Sequence, residues 1–167
     1  GLAIDAVHHK LYWAEIATGL IHRANLDGSH PETVVTGAGS PYGVAVDSQA
    51  GRIYWTDLGP GHSVRAANLD GSGATVLLSA GLVAPVGIAV DAAAGKLYFA
   101  DYSAGTIHRM NVDGTGVETL VAGEDHPNHV FADASVHTLE WSSWTAIRRS
   151  DLDGGGVVTL VGGLPQP

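Results

Sequence analysis

A short apolar segment ending in aspartate recurs four times along the chain. The aspartates stand at positions 5, 47, 91 and 133, so the steps are 42, 44 and 42 residues. Each is followed by a second segment: Lys10-Leu11-Tyr12-Trp13-Ala14-Glu15, Arg52-Ile53-Tyr54-Trp55-Thr56-Asp57, Lys96-Leu97-Tyr98-Phe99-Ala100-Asp101 and Thr138-Leu139-Glu140-Trp141-Ser142-Ser143. A third segment then runs into a tight reversal: Asp27-Gly28-Ser29, Asp70-Gly71-Ser72, Asp113-Gly114-Thr115 or Asp153-Gly154-Gly155. Asp and Gly tolerate the dihedrals such a turn needs. A short fourth segment, such as Thr33-Val34-Val35 or Thr119-Leu120-Val121, closes each repeat. The repeats span 1–40, 41–84, 85–126 and 127–167 within one domain.

The β-branched and aromatic content of these segments suits strands, and no helical periodicity is visible. A unit of about 40 to 45 residues holding four short strands is the spacing of a β-propeller blade. The second strand explains why blades must stack. Leu11 and Trp13 point to one face, Tyr12 and Ala14 to the other, so both faces are apolar. A sheet that is apolar on both faces has to be covered on both. The expected fold is all-β, with four blades of four antiparallel strands.

Two motifs carry a family resemblance. Tyr54-Trp55-Thr56-Asp57 spells YWTD, with Tyr12-Trp13-Ala14-Glu15 and Tyr98-Phe99-Ala100-Asp101 as variants. Asn25-Leu26-Asp27-Gly28-Ser29 and Asn68-Leu69-Asp70-Gly71-Ser72 supply the companion turn in register. Over essentially its whole length the chain resembles low-density lipoprotein receptor class B (YWTD) repeats. Repeat four departs: Glu140-Trp141-Ser142-Ser143 replaces the motif, and His129 stands where Gly43 and Gly87 stand. Arg23, Arg109 and Arg149 keep a strand-three arginine that repeat two replaces with Ala66. The resemblance implies a structural acid at Glu15, Asp57 and Asp101, bonding neighbouring backbone or strand-three groups. It also implies an extracellular, protein-binding domain, in a family whose propellers usually have six blades.

An open arc of blades would bare an apolar face at each end, and monomers seldom expose patches above a few hundred Å². We expect the four blades to close on themselves. The alternatives are two chains pairing into an eight-bladed ring as a homodimer, or further blades outside this chain. Pro41, Pro85 and Pro127 lead into first strands, and Leu164-Pro165-Gln166-Pro167 looks like the lead-in to another.

Composition narrows the partners. A net charge of −9 argues against nucleic acid or anionic membrane and towards cations or basic partners. There is no cysteine, so disulfides, thiol nucleophiles and cysteine-type zinc sites are all absent. No run approaches the roughly 20 apolar residues of a membrane helix. The chain begins without Met and shows no secretory signal.

Residues that might carry chemistry mostly repeat by blade, as structural residues do. Asp5, Asp47, Asp91 and Asp133, and again Asp27, Asp70, Asp113 and Asp153, read as turn acceptors. The competing reading, a ring of carboxylates on Ca²⁺, would offer one oxygen per blade where that ion takes several. The nine histidines show no close ligand spacing for zinc. No metal or catalytic residue is therefore assigned. No cofactor is expected, a channel cation such as calcium or sodium held by first-strand carbonyls being the one candidate. No Gly-x-Ser-x-Gly elbow appears. The structural set is Tyr54, Trp55, Thr56 and Asp57 with Asp47 and Asp91. Loops leading into first strands and joining strands two and three share one face, and there we place Ile16, Tyr42, Leu58, Tyr102, Asn128, His129 and Trp144. Aromatic residues at loop positions suit recognition of a protein or small ligand. The reading is a non-catalytic binding or scaffold domain. The alternative is a small hydrolase or lyase with a pocket at the axis near repeat four, where His126, Asn128, His129 and Glu140 do not repeat.

Overall fold

The computed structural model describes residues 1–165, so the last two residues of the proline-rich tail lie outside the described residues. It contains sixteen strands and, among the described residues, no helix. In chain order they are β1 (Leu2–Asp5), β2 (Lys10–Glu15), β3 (Leu20–Asn25), β4 (Glu32–Val35), β5 (Pro41–Asp47), β6 (Arg52–Asp57), β7 (Ser63–Asn68) and β8 (Thr75–Leu78). There follow β9 (Pro85–Asp91), β10 (Lys96–Asp101), β11 (Thr106–Asn111), β12 (Glu118–Ala122), β13 (Val130–Asp133), β14 (Thr138–Ser142), β15 (Ala146–Asp151) and β16 (Val158–Gly162). They form four antiparallel sheets of four, each in simple sequential order, which is the make-up of propeller blades. Two compact units, Gly1–Leu82 and Val83–Pro167, hold two blades each.

In the first unit the two blades meet through the faces expected from strand two. Tyr12, Ile21, Val35 and Ala38 of the first blade pack on Val44, Ile53, Trp55 and Ala67 of the second. Trp55 and Ile53 are fully buried, and Tyr12 and Tyr54 are nearly so. Burying each such side chain stabilises by about 1.5–3 kcal/mol. Polar links set the register. Trp55 Nε1 donates to the Ala38 carbonyl at 3.0 Å, and Arg23 Nη1 donates to the Leu69 carbonyl at 3.0 Å. Gly71 (φ 84°) lies so close to the Val34 carbonyl that a side chain there would overlap it. On the other face of the first blade Leu2 and Ile4 remain exposed.

The second unit repeats this joint. Arg109 Nη1 donates to the Leu152 carbonyl at 2.8 Å. At the inner end the Gly87 amide donates to the Asn128 carbonyl at 2.9 Å. Phe99, Leu97, Ile107, Met110 and Leu139 are fully buried. Phe131, which opposes Glu140 where the other blades oppose alanine to tyrosine, is exposed.

The strand-end and turn acids bind backbone amides and hydroxyls. Asp57 accepts from the Ser40 and Gly59 amides at 2.7 and 2.8 Å, and Asp101 accepts from the Val83 and Ala84 amides at 2.7 and 2.8 Å. Asp5, Asp47, Asp91 and Asp133 each accept backbone amides two or three residues on. Asp27, Asp70 and Asp113 accept the hydroxyl of the next-but-one Ser or Thr, which holds their carboxyls below the usual range. The shared third-strand histidines stack on the second strand, His22 on Trp13 at 5.3 Å and His108 on Phe99 at 5.1 Å.

Every described non-glycine residue with positive φ is a histidine: His9, His30, His62, His126 and His137. His9 and His137 occupy the place of Gly51 and Gly95, and His30 that of Gly73, Gly116 and Gly156, all at φ of 62–67° or close below. Much of the histidine content is thus turn residue, a type several-fold enriched in this region.

Two measurements check this packing. Gly87→Ala puts a methyl against the Asn128 carbonyl, so it should destabilise the fold by about 1–3 kcal/mol in urea unfolding. An unchanged midpoint would mean that the inner joint is looser than described. Burial lowers the pKa of His108 from its ordinary 6.5. The unfolded chain therefore takes up that proton first, and stability is lost as pH falls through 6.5 towards the lower folded value. His108→Gln should flatten the decline in melting temperature between about pH 7 and 5; parallel curves would exclude His108 as its source.

Candidate functional site

Asymmetry between repeats locates the site. In repeats two and three the motif acid, Asp57 or Asp101, ties down the loop entering the same blade. Repeat four has Ser143 at that position, whose hydroxyl donates instead to the Ala146 carbonyl at 3.2 Å. A different acid does the tying. Glu124, in the β12–β13 loop, is buried and receives Arg148 Nη1 at 2.7 Å on one oxygen and Trp141 Nε1 at 2.8 Å on the other. It stands where Ala38 offers a carbonyl to Trp55 in the first unit. A carboxylate has thus moved from a strand end to a loop, and it fixes that loop to β14 and β15.

The residues after Glu124 form the surface feature. The His126 ring stacks on Trp144, with centroids 4.0 Å apart and 12° between planes. Tyr102, from the β10–β11 turn, meets the other two rings at 4.8 and 6.2 Å with steep tilts. Tyr102 thus meets its neighbours edge-on, an arrangement that aromatic pairs prefer. Three separate loops are brought together in this way, and all three rings are partly exposed. Asp125 Oδ1 lies 2.8 Å from His126 Nδ1, and the Asp125 carbonyl accepts the Trp144 amide at 3.1 Å.

His126 holds φ 53° at a position where repeat one has Ser40 and not glycine. Unlike the turn histidines, it is a local departure from the repeat. Backbone strain of this kind costs of order 1 kcal/mol or more and tends to mark functional positions. Two residues on, the Oδ1 of Asn128 is buried without a hydrogen-bond donor.

Of the residues assigned from sequence, Tyr102 and Trp144 are in mutual contact, and Asn128 and His129 sit on the loop that carries His126. His129 is exposed and, with Glu140, borders a shallow groove of about 300 Å³ lined by Phe131, Trp141 and Ile147. Ile16, exposed in the β2–β3 turn, and Leu58, half-buried after β6, belong to the first unit, as does Tyr42. Tyr42 falls inside β5 rather than in the loop before it, and is half-buried. Glu124 escaped the sequence reading, although its substitution for Ala38 beside the loss of the Asp57 counterpart was a usable signal.

Breaking the buried pair gives a test. Glu124→Gln should lower stability by about 2–3 kcal/mol, because it strands the Arg148 guanidinium. The exposed neighbour change Asp125→Asn should stay within about 0.5 kcal/mol. Equal effects in denaturant unfolding would show that Glu124 does not anchor the loop.

Comparison with known proteins agrees with the fold. Residues 51–92 match the low-density lipoprotein receptor repeat class B family model. Nidogen-2 of Mus musculus is 40% identical over 79 residues, 46% of this chain and 6% of that protein. A low-density lipoprotein receptor-related protein 1 of Pyricularia oryzae is 38% identical over 94 residues, 50% of this chain and 30% of that protein. Protein cueball of Drosophila sechellia is 35% identical over 83 residues, 47% of this chain and 13% of that protein. Among solved structures, a nidogen/laminin complex matches all of this chain and 65% of its own, with a TM-score of 0.92 and 32% identity. TolB from Acinetobacter baumannii, at 12% identity and a TM-score of 0.78 over 97% of this chain and 43% of its own, shares the fold. The chain spans less than a third of each of these three sequence relatives.

Proposed function

As a chain built of low-density lipoprotein receptor class B repeats, this protein is, we propose, a non-catalytic module that binds another protein through the loop end of its third and fourth blades. The supporting observation is the Tyr102–His126–Trp144 cluster: three loops pooled into one partly exposed aromatic surface on a loop anchored from below by Glu124. Interface hot spots favour such side chains, since large rings on rigid supports lose little freedom on binding. The rings form a surface and not an enclosed cavity, which suits a protein partner better than a small substrate. The similar nidogen structure is a complex with laminin, so the partner is sought first among laminin-like proteins.

The experiment is surface plasmon resonance with the chain immobilised and laminin as the probe. Tyr102→Ala with Trp144→Ala should weaken binding by about 30-fold or more, the 2 kcal/mol expected of a hot spot, with the melting temperature held within a few degrees. Undiminished binding by the double variant would remove the aromatic surface from the reading. Absence of binding by the unaltered chain would remove laminin.

A further inference from the structure

Inside each unit the joint between blades is fixed at three places. The strand-three arginine of the earlier blade donates to a turn carbonyl of the later one, Arg23 to Leu69 at 3.0 Å and Arg109 to Leu152 at 2.8 Å. The strand-two tryptophan of the later blade donates back to the loop leaving the earlier one, Trp55 to the Ala38 carbonyl and Trp141 to the Glu124 carboxylate. The turn glycine of the later blade, Gly71 or Gly154, lies against the last-strand carbonyl of the earlier one, Val34 or Leu120.

Blade four carries the first half of such a joint, unused. Arg149 stands in register with Arg23 and Arg109, but its guanidinium has no hydrogen bond or ion pair among the described residues. Glu140 opposes it in register and offers the counter-charge that Glu32 and Glu118 give the other two. Leu164 is held as Ala38 and Glu124 are: its amide donates to the Thr145 carbonyl at 3.0 Å, as theirs donate to Gly19 and Gly105 at 2.9 Å. The Leu164 carbonyl receives no donor among the described residues. Ile147, in the place of the fully buried Ile21 and Ile107, is 38% exposed, and Phe131 beside it is bare.

Blade one carries the second half, equally unused. The Trp13 indole N–H has no acceptor among the described residues, and the Leu26 carbonyl, counterpart of those of Leu69 and Leu152, has no donor. Gly28, at φ 81°, meets open space where Gly71 and Gly154 meet a carbonyl. Leu2 is 62% exposed in the place of Val44, which is 5% exposed, and Ile4 is bare as well.

An apolar face alone would accept many partners. These two faces match at three further positions, which selects one occupant: a second copy of this chain. We propose that copies join head to tail, blade four of one on blade one of the next. Arg149 donates to the Leu26 carbonyl, Trp13 to the Leu164 carbonyl, and Gly28 lies against the Leu160 carbonyl. Phe131 and Ile147 are then covered by the face that holds Leu2 and Ile4. Such a contact uses a different surface on each copy. The proposal does not depend on the protein-binding surface.

Light scattering over a dilution series tests it, and the unaltered chain should show more than one chain per particle. Two variants each remove one half: Phe131→Asp with Ile147→Asp, and Leu2→Asp with Ile4→Asp. All four side chains are exposed, so both variants should melt within a few degrees of the unaltered chain. Each alone should be a single chain. Mixed in equal amounts they should form pairs and nothing larger, because one intact half of each kind remains. A readout without variants is the Trp13 indole resonance, which should move on dilution while that of buried Trp55 stays fixed. The proposal is overturned by an unaltered chain that stays single at every concentration, by either variant associating alone, or by a mixture that stays single.

Discussion

Everything in this fold follows from a second strand that is bulky and apolar on both sides. Trp55 and Tyr54 are neighbours in sequence and therefore point to opposite faces of one sheet, yet each is at most 2% exposed. A four-stranded blade is a single layer and covers neither face by itself. In the first unit the neighbouring blade covers the Trp55 face, and the hydrophobic term makes that stacking strong without making it specific. Specificity comes from a few directional contacts at the two ends of the joint. At the outer end an arginine crosses to a turn carbonyl, Arg23 to Leu69 and Arg109 to Leu152. At the inner end backbone meets backbone, as in the Gly87 to Asn128 hydrogen bond.

Features that repeat were legible in the sequence because each copy checks the others. The aspartate spacing, the YWTD variants and the Asp-Gly turns gave the strands to within a residue or so. Features that break the repeat were legible only as absences. That Ser143 lacked the motif carboxylate was visible, but its replacement from a loop nineteen positions earlier, Glu124, depends on tertiary packing. The histidines were legible only as an excess with no ligand spacing. Their backbone angles show His9, His30 and His137 standing in for glycine. His126 alone pairs such an angle with ring contacts, and no sequence pattern distinguishes it from the others.

Repeat four illustrates how a symmetric scaffold acquires a unique surface. With Ser143 in place of the strand-end acid, the entering loop lacks the tie that Asp57 and Asp101 supply in repeats two and three. Glu124 anchors that loop instead, with His126 at positive φ, stacked on Trp144 and met at a tilt by Tyr102. Rule-breaking of this sort, stabilised elsewhere, is where functional sites are expected to lie. The aromatic surface is consequently single, although the blades are four.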